Sequence, residues 1–192
     1  FTAFKRAYDL NKDEKVGRYA VHSATEAAKR GSPSEKTRYY TEAATTAEAL
    51  ASAKPTFDNN LLVGESWMGA KQYSKALTWF NKAAGQSSQN ALVRFYIGQC
   101  YSKLEQYDNS LSALQQALSL GSNNSDLRKK IYNQMGYVHE KNRDFMKAKQ
   151  AYLEGGNRSK AAAMDEKEAA KAGNLEHEKQ CREFKTKIDA LA

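Results

Sequence analysis

From Tyr40 the apolar side chains return three and four positions apart, at Tyr40, Ala43, Ala47 and Leu50. That spacing lays an apolar stripe along one face of a helix and is the wrong period for a strand. Ser32-Pro33-Ser34-Glu35 supplies the start: an N-cap Ser, a Pro for the first helical position and a Glu that can close a capping box. Pro55 stops the helix near Ala53. Val16 to Arg30 reads as a helix ahead of it, and Phe4 to Asn11 as the last turns of another. Near the C-terminus, His177, Cys181, Phe184, Ile188 and Leu191 form a further stripe at helical spacing. An Ala- and charge-rich helix over Ser159 to Ala172 precedes it, with Gly173-Asn174 predicted as a break.

Between these ends the pattern repeats. Writing the stretch from Phe57 above the stretch from Ala91, a register of thirty-four positions, sets Gly64 over Gly98, Trp67 over Tyr101 and Tyr73 over Tyr107. The same register sets Ala76 over Ser110, Phe80 over Leu114 and Ala83 over Ala117. A third copy runs through Gly136, His139, Phe145, Ala148, Tyr152 and Gly155, displaced by four positions more than the first offset. Those extra positions are expected in the Gly121 to Arg128 connection, where Gly121-Ser122-Asn123-Asn124-Ser125 is polar and turn-forming. Antiparallel helices approach closely only where small side chains meet. Gly64 and Gly98 then suit the first helix of each pair, Ala76, Ala83, Ser110 and Ala117 the second, and the aromatic and Leu positions fill the gaps.

Over Ala91 to Asn124, Ile97-Gly98, Tyr101, Tyr107, Leu114 and Ala117 resemble the Leu-Gly, Tyr, Tyr, Phe and Ala of the tetratricopeptide-repeat family, and Leu118 and Leu120 continue the match. Arg94 departs from the family's first-helix Trp, and Ser88 and Ser122 from its closing Pro. The resemblance implies an all-α fold, an α-α superhelix of antiparallel helix pairs. The expected organisation is degenerate repeat helices over 1–56, repeat units over 57–90, 91–124 and 125–158, and capping helices over 159–192. A solenoid needs such a cap because its last repeat otherwise leaves its stacking surface in water.

The resemblance also implies a concave wall built from first helices, along which a partner peptide or helix lies. The family's groove positions fall here on Leu61, Leu62, Glu65 and Met68, then Phe95, Tyr96, Gln99 and Lys103, then Lys130, Asn133, Gln134, Tyr137 and Lys141. Such a wall is apolar and aromatic at one end and polar and basic at the other, suited to a segment with hydrophobic anchors and an acidic flank. The alternative for Leu61 and Phe95 is packing against the next unit. One branch of the family grips the C-terminal carboxylate of heat-shock chaperones. The corresponding positions here are Leu61, Glu65, Tyr96, Lys130 and Gln134, of which only Lys130 matches, so that clamp is not expected.

Charge and composition narrow the partner class. The net charge of +8 divides as +3 over 1–56, +1 over 57–90, zero over 91–124, +3 over 125–157 and +1 beyond. No basic block gathers as a phosphate-tracking surface would require, so no nucleic-acid partner is expected. No run approaches the ~18 to 20 apolar residues of a membrane helix, so no membrane insertion is expected. Cys100 and Cys181 lie too far apart in sequence to suggest a framework, and Cys100 reads as core. His177 and Cys181 sit four apart, but a metal site needs about four ligands and no second cluster is visible. His139-Glu140 lacks the second His of a zincin, and no phosphate loop or nucleophile elbow appears.

No cofactor and no catalysis are therefore expected. The predicted role is a scaffold or adaptor that binds a protein or peptide in its groove. The alternative is an assembly segment of a larger solenoid, working through its ends or convex face, with self-association open. The chain starts at Phe1 without Met or apolar leader, which reads as processing or a fragment boundary. That and a basic, Ser/Asn/Gln-rich composition lean toward a processed cell-envelope protein over a cytoplasmic one.

Overall fold

The computed structural model describes residues 2–121 and 123–189; the side chains of Cys181 and of residues 184–189 lie outside that description, and so, with Leu191, does most of the C-terminal stripe. The described residues form ten helices and no strand: α1 Thr2–Asn11, α2 Glu14–Arg30, α3 Pro33–Ala53, α4 Phe57–Gly69, α5 Tyr73–Gln86, α6 Ala91–Lys103, α7 Tyr107–Leu120, α8 Ser125–Lys141, α9 Phe145–Glu154 and α10 Arg158–Asp189. They gather into two compact units, Phe1–Asn123 and Asn124–Ala192.

In the first unit the helices start where the sequence supplies caps. Asp13, Thr56 and Asn90 accept the backbone N–H three residues on, and the Glu35 carboxylate reaches back to the Ser32 N–H at 2.9 Å. Helix pairs then close on small residues. A Cβ on Gly64 would stand 2.5 Å from the Phe80 ring, and one on Gly98 would stand 2.7 Å from Leu114, so each glycine admits a large side chain of its partner helix. Ser110 adds a hydrogen bond across the second pair, donating to the Gly98 carbonyl at 2.7 Å. In the α2/α3 pair a Cβ on Gly17 would stand 2.6 Å from Leu50, and Ala24 and Ala28 on α2 and Ala43 and Ala47 on α3 are all fully buried. Glu48 of α3 accepts from both indoles, Trp67 at 2.8 Å and Trp79 at 3.1 Å, tying α3 to α4 and α5.

The repeat register is also visible in the backbone. Lys71, Glu105 and Arg143 hold the left-handed conformation between the helices of their pairs, with φ of 60°, 59° and 58°. Their spacing reproduces the two offsets of the sequence repeat. The four extra residues of the third copy do not lengthen the loop, as the sequence suggested. They add one turn to the start of α8, which has 17 residues against 13 in α4 and α6. Asn124 explains this: its side chain caps the Leu127 N–H at 2.9 Å and Asp126 follows in the first turn, so helix starts before the repeat's own first position.

In the second unit Tyr152 is fully buried, its ring filling the space over Gly136, where a Cβ would come within 2.7 Å. Its hydroxyl donates to Glu140 at 2.7 Å, and Lys167 of α10 pairs with the same carboxylate. Burial alone would raise the Glu140 pKa, but these two partners hold it below the ordinary value. Ala161 and Met164 bury α10 against Phe145, Ala148 and Tyr152. The break expected at Gly173-Asn174 is absent, and α10 runs through it. A glycine within a helix costs only about 1 kcal/mol and, unlike proline, removes no hydrogen bond. Side chains 172–180 are all exposed, so no packing demand forces a turn there.

Candidate functional site

A cleft of about 340 Å³ opens in the first unit between α2 and α4, lined by Arg18, His22 and Thr25 of α2, Tyr40 of α3, and Leu62, Glu65 and Ser66 of α4. Gly69 shapes one wall: a Cβ there would lie 2.4 Å from the Tyr40 ring, so glycine lets that ring rest on the α4 backbone. Two of the polar residues are satisfied within their own helices. The Thr25 hydroxyl donates to the Val21 carbonyl at 2.9 Å and the Ser66 hydroxyl to the Leu62 carbonyl at 2.8 Å. The cleft therefore shows aliphatic and aromatic surface with Arg18, His22 and Glu65 as its strongly polar groups.

These groups differ in how they are partnered. Arg18 bonds Glu14 at 3.3 Å, and Glu14 also binds Lys54 at 2.8 Å and Asn59 at 3.4 Å. Lys54 leads in holding the Glu14 carboxyl below its usual range. Glu65 is half-buried, and burial pushes its pKa up against the opposing pull of a hydrogen bond from Tyr96. The Tyr96 phenol is pushed up to about 12, first by burial and then by the Glu65 charge and hydrogen bond. Tyr96 stacks on Phe80 with ring centroids 5.1 Å apart, so the acceptor in the cleft is linked to the core of the α4/α5 pair.

Of the groove positions expected from sequence, Leu62 and Glu65 line the cleft and Tyr96 bonds one of them. Leu61 and Met68 are half-buried against the core. Phe95 is only 6% exposed and offers little surface to a partner. Gln99 is half-buried and Lys103 exposed. In the second unit Lys130 and Lys141 are exposed, Gln134 and Tyr137 half-buried, and Lys141 lies over the Tyr137 ring at 5.6 Å. Asn133 donates to the Gly155 carbonyl at 2.7 Å and the Lys129 carbonyl at 2.8 Å, a tie between α8 and α9.

Arg18, His22 and Thr25 were not among the expected positions. A signal for them exists: Tyr40 and Ala43 follow Ala24 at the same distances along the chain as Phe80 and Ala83 follow Gly64. In that register His22 and Thr25 correspond to Leu62 and Glu65, and glycine's replacement by alanine hid it. Cys100 is fully buried, and burial pushes its thiol up to about 12, which keeps it protonated and unreactive. Among the described residues no cluster of His, Cys, Asp and Glu could hold a metal ion, and no helix is long and apolar enough to cross a membrane.

A family profile described as anaphase-promoting complex, cyclosome, subunit 3 matches residues 36–117. Among solved structures the chain is similar to a MamA protein, with TM-score 0.60, 14% identity, and coverage of 83% of this chain and 88% of that one. A MamA from strain MSR-1 aligns with TM-score 0.56 at 20% identity, covering 86% and 84%. A MamA from Desulfovibrio magneticus RS-1 does so with TM-score 0.56 at 17% identity, covering 83% and 93%. Identities this low speak to the fold. No curated protein matches the sequence significantly. The helix pairs, their register and these similarities define an all-α helical-repeat fold. The register of these helix pairs resembles that of the tetratricopeptide-repeat family.

Proposed function

We propose that the chain is a scaffold that holds a segment of a partner protein in the α2/α4 cleft of its first unit. The observation that carries this reading is the cleft itself: a roomy recess in which the Thr25 and Ser66 hydroxyls are satisfied within their own helices, leaving Leu62 and the Tyr40 ring as apolar contact surface and Arg18, His22 and Glu65 as polar groups that orient a guest. Thr25→Trp puts an indole into the recess from a half-buried position. It should abolish capture of a partner from the source organism while leaving helical content and melting nearly unchanged. The paired change Lys130→Ala with Lys141→Ala should leave capture intact. The reverse pattern would move the binding surface to the α8 row.

A second reading, assembly through the α1 region, is favoured by three exposed residues: Phe4 (45%), Leu10 (82%) and Tyr19 (60%), with Phe4 and Tyr19 in ring contact at 5.9 Å. Sedimentation equilibrium separates the two, since assembly requires a mass that rises with concentration.

A further inference from the structure

Resting on the cleft reading, the charges inside the recess say what the bound segment carries. Glu65 lines the recess together with Arg18, His22 and Thr25 from α2 and Tyr40 from α3, and Tyr96 from α6 interacts with it. The neutral Tyr96 phenol is the neighbour that counters the effect of burial on it, and among the described residues no ion pair includes Glu65. Arg18, a cation lining the same recess, is engaged by Glu14 at 3.3 Å, and that carboxylate is itself part of a network with Lys54 and Asn59. A carboxylate kept half-dry with one neutral donor is costly in the free protein, and an incoming cation offsets that cost.

We propose that the cleft selects a partner segment bearing a Lys or Arg, whose charged head meets the Glu65 carboxylate while its aliphatic stem lies on Leu62 and Tyr40. Both residues suit such a stem, because long basic side chains cover apolar surface with their methylenes while the head keeps polar company. An acidic segment is the weaker fit. It would have to draw Arg18 away from Glu14 and would bring its own charge toward Glu65.

The test uses the whole chain and a displayed library of short random peptides, selected on the wild-type protein and depleted on Thr25→Trp so that the survivors occupy the cleft. The survivors should be enriched in Lys and Arg over the starting library. A surviving peptide should lose tenfold or more in affinity with Glu65→Gln, which still offers Tyr96 an acceptor. The same loss should follow when the peptide's Lys is acetylated, which keeps the stem, removes the charge and leaves the protein unaltered. Survivors rich in Asp and Glu, or neutral survivors indifferent to Glu65→Gln and to acetylation, would overturn the cation proposal and leave the cleft reading standing. A library yielding no peptide that distinguishes wild type from Thr25→Trp would overturn both.

Discussion

Phe80→Ala is expected to cost the first unit about 3–5 kcal/mol, the range for deleting a buried aromatic ring, and so a large share of a typical domain's ~5–15 kcal/mol. Phe80 is fully buried, and its ring occupies the space that Gly64 vacates, with contact distances to a hypothetical Cβ of 2.5–3.0 Å. Neighbours cannot easily close the gap, because Gly64 opposite the ring has no side chain to move in, and the fully buried Ala76 and Ala83 on either side of Phe80 in its own helix are small. The loss extends to the cleft. Tyr96 stacks on Phe80 and interacts with Glu65, so removing the ring takes away one of the contacts that hold the phenol beside the cleft. Denaturant unfolding followed by tryptophan emission measures this, since Trp67 and Trp79 both lie in the first unit. A cost below about 1 kcal/mol would mean that the Gly64 to Phe80 contact is not the close-packed joint described above.

Tyr152→Ala is expected to have an effect of similar size in the second unit, about 3–5 kcal/mol, with hydrogen bonding as well as packing at stake. The ring is fully buried over Gly136, and its hydroxyl donates to Glu140, which also pairs with Lys167 of α10. Tyr152→Phe separates the two contributions: it keeps the ring and removes one bond to a charged acceptor, for about 1–3 kcal/mol. Amide exchange resolved over α8, α9 and α10 is the appropriate readout, because no tryptophan lies in that unit. Equal losses in the two variants would place the stability in the Tyr152 hydrogen bond and not in the fit of the ring to Gly136.

The parts of this architecture that were legible from sequence are those where one residue type has one physical use. Gly64, Gly98 and Gly136 with their large partners mark close helix crossings, and Ser32-Pro33 with Glu35 marks a helix start. Features that depend on competition between weak preferences were not legible. Gly173-Asn174 looks like a break, yet no packing partner bends the chain there, and local helix propensity prevails. The extra residues before α8 look like loop, yet Asn124 caps them into another turn. The cleft was half legible: Leu62 and Glu65 follow from the repeat register, whereas Arg18, His22 and Thr25 sit in a pair whose crossing residue is Ala24. Phe95 shows the limit of position alone, since a groove-facing register does not keep a large ring from being buried.

The account's central claim is that a partner segment lies between α2 and α4. Backbone amide shifts of the labelled chain, recorded with and without a peptide selected on it, test this most directly. Perturbations concentrated around Arg18 to Thr25, Tyr40, Leu62 to Ser66 and Tyr96, with α8 to α10 silent, are the predicted result. Shifts gathered on Lys130 to Lys141, or on the Phe4 and Tyr19 surface with the cleft unchanged, would contradict it.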